Sequence, residues 1–168
     1  AIVDATLYNS FEDIYSLLVH ESFHVFQHVS GESRYPDEIV GFNYPIEFKN
    51  IQLRILERKI LFEAFVSTDL KEKQQKINEF ITLRDKRTEL FPDYVEYENS
   101  VETIEGPAFY VEYQALKDVS SSKENVISKY VEQLLDNNRS HINIRSSCYN
   151  SGLFICLFLD NISKDWKV

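Results

Sequence analysis

Hydrophobic side chains recur at every third or fourth position along most of this chain, which is the spacing of amphipathic α-helices. The first predicted helix runs from Ser10 to Gly31, because a serine followed by acidic residues is typical of a helix start and a glycine of a helix end. Its apolar side is expected to face the core and to consist of Ile14, Leu17, Leu18, Val25 and Val29.

Residues 46–68 are predicted to form a long helix, because their apolar residues recur at spacings of three and four positions. Residues 69–90 predict a second, more polar helix, paired antiparallel with the first as a hairpin. The preceding residues 31–45 hold two Pro and two Gly and are expected to form a surface loop. The middle of the chain is therefore predicted to be a loop followed by a helical hairpin.

Pro92 begins the next predicted helix. We expect a kink or a restart at Glu105, because Pro107 lacks the N–H that would bond the carbonyl of Thr103. Residues 1–8 alternate weakly between apolar and polar, as a short edge strand does. The remaining predicted elements are a helix over 121–137, a polar loop over 137–147 and an apolar helix over 148–162.

Composition narrows the class of protein. Only four Gly and four Pro among 168 residues, with 43% hydrophobic residues, favour a mainly α, single domain spanning residues 1–168. A net charge of −9 without a run of Lys or Arg argues against a nucleic-acid partner and for a cation.

No window reaches the ~18 apolar residues of a membrane helix, so a soluble protein without a membrane span is expected. Cys148 and Cys156 are expected to be core thiols, and the absence of Met predicts a processed form or a piece of a longer protein.

Residues 20–24 read HESFH, an instance of the HExxH pattern. In a helix, His20 and His24 lie one turn apart on one face, so both imidazoles can bind one metal ion. Glu21 then lies about 100° round the helix, where a general base for a metal-bound water belongs. The alternative is that these residue types fell at this spacing by chance.

A hydrolytic zinc site needs a third protein ligand and leaves its fourth position for water. His28 lies on the same helical stripe, but three histidines in a row on a straight helix cannot all reach one ion. Glu105 is preferred as the third ligand, because the small residues that follow it allow a neighbouring helix to approach closely. Glu102, roughly on the same face, is the second choice. Both belong to a set of glutamates on one segment: Glu98, Glu102, Glu105 and Glu112.

Glu57 lies inside the apolar stripe of the first hairpin helix, so its carboxylate must find a partner if it is buried. One predicted partner is the free ring N–H of His20 or His24, which Glu57 would then orient. The alternative is a pair with Arg54 or Arg58 on the same helix.

Four residues are candidates to donate a hydrogen bond to the oxyanion that peptide hydrolysis develops: Tyr110, His141, Arg145 and Tyr149. Tyr149 is preferred, because it follows the polar loop and begins the final helix. A structural role is the alternative for each, with Tyr110 packing in the core and Arg145 pairing with a surface acid. His141, Arg145 and Glu102 are also candidates to orient the metal ligands from behind.

The HExxH helix followed by EGPAFYVE at residues 105–112 resembles the gluzincin zinc metallopeptidases of the thermolysin-like superfamily. The resemblance extends over most of the chain. It implies one Zn²⁺ held by His20, His24 and Glu105, with the glutamate inside the motif activating water. It also implies that the helices of residues 46–90 are an insertion beside the site.

The sequence therefore predicts a zinc-dependent metallopeptidase that acts on a peptide or protein substrate. The alternative is a non-enzymatic helical protein-binding domain with a structural or vestigial metal site, since the chain is small for a peptidase and rich in aromatic residues. A metal-dependent hydrolase of a non-peptide substrate is a third interpretation.

Overall fold

A computed structural model describes residues 6, 8, 10–44, 46–138, 142–162 and 166, and every regular element within them is a helix. The mainly α fold class is thus confirmed. The strand expected at residues 1–8 lies almost entirely outside the described residues. None of the described helices has the length and apolar character needed to cross a membrane. The elements are α1 (Phe11–Val29), α2 (Glu38–Phe42), α3 (Phe48–Val66), α4 (Leu70–Leu90), α5 (Pro92–Val119), a 3₁₀ turn (Lys123–Asn125), α6 (Val126–Leu135) and α7 (Ile144–Ile162).

The long helix α5 is the axis of the fold, with α1, α2, α4, α6 and α7 packed against it. Pro107 lies inside this helix, which continues without interruption to Val119, so of the predicted kink or restart at Glu105 the restart is wrong. Proline removes only one backbone hydrogen bond, and the buried residues spread along the whole of α5 hold the helix together on both sides of that gap.

Helices α5 and α7 cross in direct backbone contact at Gly106 and Gly152. A Cβ atom added to Gly106 would lie 2.7 Å from the Cα atom of Gly152, and one added to Gly152 would lie 2.6 Å from the Cα atom of Gly106. The close approach that the small residues after Glu105 predict is therefore present, and α7 is the partner.

The predicted hairpin is formed by α3 and α4, which pack against each other. Its buried residues, among them Leu61 and Ala64 of α3 and Phe80 of α4, pack with Phe158 of α7. A second cluster joins α5, α6 and α7 through aromatic and aliphatic side chains that include Tyr130. Cys148 and Cys156 are both buried without a disulfide, as expected of core thiols.

A buried network of charges fills the space between the hairpin and α5. Its members are Arg54, Arg84, Arg87, Glu57, Glu98 and Glu102. Arg87 is fully buried and lies 2.7 Å from carboxylate oxygens of both Glu57 and Glu98. Three positive and three negative side chains balance one another here, which is the condition under which buried charges are tolerated.

The expected apolar side of α1 is not its buried side. The buried residues of α1 are Ser16, His20 and Gln27, and this face packs against α5. Leu18, Val25 and Val29, expected in the core, are 49%, 62% and 79% exposed. Helix α1 thus turns a polar face inward, because that face carries side chains that bond to α5.

The ends of α1 follow the prediction. Ser10 caps the helix by accepting a hydrogen bond from the N–H of Asp13, and Gly31 has a positive φ of 84° just after the last turn. Elsewhere three boundaries differ. The predicted loop over 31–45 contains α2, and the helix predicted over 121–137 begins only at Val126, after the 3₁₀ turn. Helix α7 begins at Ile144, so Arg145 and Tyr149 both lie on a helix.

Candidate metal centre

His20 and His24 of α1 and Glu105 of α5 bring three ligand atoms together. The Nε2 atoms of the two histidines are 3.0 Å apart, and Oε2 of Glu105 lies 3.5 Å from the first and 3.2 Å from the second. Tetrahedral zinc with ligands at 2.0–2.1 Å has ligand atoms about 3.3 Å apart. The group of His20, His24 and Glu105 therefore has the dimensions of one face of such a site.

The chemistry of this face also fits a cation. Oε2 of Glu105 is buried and accepts no hydrogen bond in the described part of the chain, although Oε1 of the same carboxylate does. A buried carboxylate oxygen without a hydrogen bond is costly unless a positive charge lies beside it. That oxygen and two imidazole nitrogens are typical zinc ligands.

His20 is oriented from behind by Glu112, which lies two turns after Glu105 on α5. The Nδ1 atom of His20 is 3.0 Å from Oε2 of Glu112, at an angle bent away from that of an ideal hydrogen bond. The hydroxyl of Tyr130 on α6 reaches the other carboxylate oxygen of Glu112 at 3.5 Å. A carboxylate on the far nitrogen of a histidine fixes its tautomer, so Nε2 of His20 faces the centre.

His24 is oriented by Gln27, one turn further along α1. Oε1 of Gln27 lies 2.8 Å from Nδ1 of His24, and Nε2 of Gln27 donates to the backbone carbonyl of Ile104 at 2.8 Å. Gln27 is buried, and it links the histidine directly to the turn of α5 that precedes Glu105. One amide thus sets both the ring of His24 and the contact between the two helices.

The three groups shift one another's protonation. Burial opposes the charged imidazole, but the neighbouring carboxylates of Glu105 and Glu112 outweigh it and raise the pKa of His20 to about 9. The carboxylate of Glu105 likewise raises the pKa of His24. Burial would raise the pKa of Glu105, yet the two neighbouring histidines hold it well below its usual range. The centre therefore keeps an ionised carboxylate that favours a positive charge beside it.

Arg145 and Tyr149 of α7 lie at the open side of the centre. Arg145 donates from Nη2 to Oε1 of Glu105 at 2.8 Å. The ring of Tyr149 stacks on that of His20, with ring centroids 6.2 Å apart. Burial raises the pKa of Tyr149, and the charge of Glu105 adds to the effect, so its hydroxyl stays a donor.

Glu21 follows His20 on α1 and is half-buried. Within the described residues its side chain has no hydrogen bond or ion pair. A carboxylate in this position is free to accept a proton.

Three predicted site residues lie away from the centre: Tyr110, Glu57 and Glu102. The hydroxyl of Tyr110 donates to Asp160 at 2.7 Å, toward the end of α7. Glu57 is bound by Arg84 and Arg87 of α4, so its partners are neither the histidines nor the two arginines of its own helix. Packing of the hairpin decides this, because it places α4 rather than α1 against Glu57.

Glu102 is likewise held by the buried network. It pairs with Arg84 at 2.8 Å and accepts from Ser151 at 2.5 Å, so Glu105 rather than Glu102 faces the histidines. His141 lies outside the described residues. His28 is exposed, and no partner for it occurs among the residues that the structure describes.

Two residues of the centre were not assigned roles from the sequence. Gln27 follows His24 by three positions and Glu112 follows Glu105 by seven, so each lies on the same helical face as the residue it supports. That spacing is the signal that could have identified them.

Comparisons of this chain with protein-family models, with curated proteins and with solved structures found no match. Evidence for its function therefore lies in the residues of the centre.

Proposed function

We propose that this chain is a zinc-dependent metallopeptidase, with His20, His24 and Glu105 as the metal ligands and Glu21 as the general base. The observation that supports it most is that three ligand atoms lie within 3.5 Å of one another, although His24 and Glu105 are 81 positions apart in the sequence. The resemblance of the two motifs to gluzincin metallopeptidases supports the peptide substrate.

Zinc bound there would supply Lewis acidity and lower the pKa of a coordinated water to about 7. The rest of the chemistry belongs to the chain. Glu21 is half-buried, has no partner among the described residues and is on the same helix as the two histidines, so in this proposal it accepts the proton of the attacking water. It then returns that proton to the leaving amine. Tyr149 is the proposed donor to the developing oxyanion, because its ring stacks on that of His20 and so lies beside the centre.

Glu21→Gln tests the assignment of the base. The substitution keeps the size of the side chain but removes its basicity, so zinc binding should stay unchanged while cleavage of a peptide library falls by about 10²-fold or more. His24→Ala should instead lose zinc. Digestion is followed by mass spectrometry with and without a chelator, and zinc by elemental analysis. Cleavage by Glu21→Gln at the parent rate would rule out this base.

A second candidate function is a protein-binding domain, and the exposed face of α1 favours it. Six large apolar residues lie along that face: Phe11 at 70%, Tyr15 at 39%, Leu18 at 49%, Val25 at 62%, Phe26 at 61% and Val29 at 79% exposure. Five of them, with Ser22, follow alternating spacings of four and three, which is the pattern of a helix-pairing seam. The charged residues of α1 are all acidic: Glu12, Asp13 and Glu21.

The partner that fits this face is an amphipathic helix with basic flanks. Two copies of α1 would instead place acid against acid, which disfavours self-association. A synthetic apolar-striped helix with lysine flanks should bind the chain and lose binding to the Val25→Asp, Val29→Asp double variant. Equal binding of a glutamate-flanked helix, or dimerisation detected by sedimentation, would contradict this partner.

A further inference from the structure

Arg145 bridges two carboxylates from different helices. Its Nη2 atom donates to Oε1 of Glu105 on α5 at 2.8 Å, and its Nη1 atom donates to Oε1 of Glu38 on α2 at 2.5 Å. The guanidinium also lies 5.9 Å from the centroid of the Tyr149 ring, one turn along α7. One side chain thus connects three helices at the edge of the metal centre.

The two oxygens of Glu105 have different surroundings because of this bridge. Oε1 is taken by Arg145, whereas Oε2 is buried, accepts no hydrogen bond in the described part of the chain and faces both histidines. Rotation of the carboxylate would break the bond to Arg145. The geometry points to Arg145 as a positioning residue that makes Glu105 a one-oxygen metal ligand, with Glu38 holding the arginine in place. This inference rests on the proposed metal site.

The charge of Arg145 by itself would act against metal binding. A guanidinium next to a divalent cation repels it, so a purely electrostatic effect predicts tighter zinc binding when the charge is removed. Positioning predicts the opposite result. The planar fork of arginine can donate to two carboxylates at once in a fixed geometry, which the single ammonium group of lysine cannot reproduce.

Two substitutions at this position separate the effects. Arg145→Lys keeps the charge and loses the fork, and Arg145→Gln loses both. We expect zinc affinity to fall by about 10-fold for Arg145→Lys and by about 10- to 100-fold for Arg145→Gln, the range typical of residues that orient metal ligands. Glu38→Gln, which weakens only one arm of the bridge, should cause a smaller loss.

A matched control is Arg34→Gln. Arg34 also binds a glutamate with two nitrogens, Nε to Oε1 of Glu32 at 2.9 Å and Nη2 to Oε2 at 2.6 Å, but its side chain is 71% exposed and the pair lies on the surface. This substitution should leave zinc affinity unchanged.

Zinc affinity is measured on the whole chain by competition with a chromophoric chelator, and cobalt absorption spectra report the coordination of the metal. Melting without metal shows whether each variant folds. Loss of affinity in both Arg145 variants, with an altered cobalt spectrum and a folded metal-free protein, supports the inference. Parent-like or tighter binding by either variant overturns it. A parent chain that binds no zinc overturns the proposed function and this inference with it.

Discussion

At the scale of single residues, the centre depends on what lies behind each ligand. Glu112 contacts His20, Gln27 contacts His24 and Arg145 contacts Glu105, so each group of the candidate centre has a partner on the side away from the other two. Ligands held in this way lose little side-chain freedom when an ion binds.

The contact between Glu112 and His20 can be tested by Glu112→Gln. An amide is a weaker acceptor than a carboxylate and carries no charge, so the ring of His20 becomes less basic and less firmly oriented. We expect zinc affinity to fall by about 10-fold in the chelator competition. Glu124→Gln, on the exposed 3₁₀ turn, serves as the control and should bind as the parent does. Unchanged affinity in Glu112→Gln would show that Glu112 does not act on the metal.

At the scale of helices, the position of Glu105 is set by the crossing of α5 and α7. Gly106 and Gly152 allow the two backbones to touch directly after Glu105, and Arg145 bonds to Glu105 from the first turn of α7. A wider crossing would therefore move Glu105 on α5 away from Arg145 on α7, which holds its carboxylate.

Gly106→Ala tests this dependence. The new Cβ atom would lie 2.7 Å from the backbone of Gly152, which cannot turn aside as a flexible side chain can. Overpacking of this kind costs about 1–3 kcal/mol, and a clash with backbone atoms belongs at the upper end of that range, above the roughly 1 kcal/mol that alanine gains over glycine in a helix. We expect lower stability in urea unfolding together with weaker zinc binding. Asn161→Ala, at an exposed position of α7, should change neither, and a stabilised Gly106→Ala would contradict the observed crossing.

At the scale of the whole molecule, buried charges join the hairpin to the rest of the fold. Arg84 and Arg87 of α4 bind Glu57 of α3, and the same arginines bind Glu102 and Glu98 of α5. The hairpin is therefore held to α5 by ion pairs that need both signs of charge to remain in place.

Acid should weaken this connection. Burial would raise the pKa of Glu98, but the charges of Arg54 and Arg87 outweigh it and lower the pKa from 4.5 to about 2. A carboxylate whose pKa is depressed on folding stabilises the protein fully above its unfolded pKa, and that contribution is lost as pH falls from 4.5 towards 2. Burial raises the pKa of Glu57, which acts in the opposite sense.

Glu98→Gln isolates the contribution of this residue. At pH 7 it should cost about 3–5 kcal/mol, because it leaves buried arginines without their partner. The free energy of unfolding is measured in urea from pH 6 to pH 2. The decline of stability between pH 4.5 and 2 should be shallower in the variant than in the parent, and parallel curves would show that Glu98 does not titrate in this range.

Sequence alone determined the features that depend on neighbours within a turn or two. Capping by Ser10, termination at Gly31 and the shared face of His20 and His24 follow from the repeat of a single helix, so they could be predicted before any packing was known. The hairpin followed in the same way, because two long periodic segments with a short connection pack against each other.

Only the tertiary structure decided which face of each helix is buried and which carboxylate meets which charge. Periodicity marks two faces of α1 but not the inward one, and here bonds to α5 outweighed the burial of Val25 and Val29. Glu57 shows the same limit of local reasoning, since its partners come from another helix. Contacts between distant segments depend on the summed free energy of packing, which no local pattern contains.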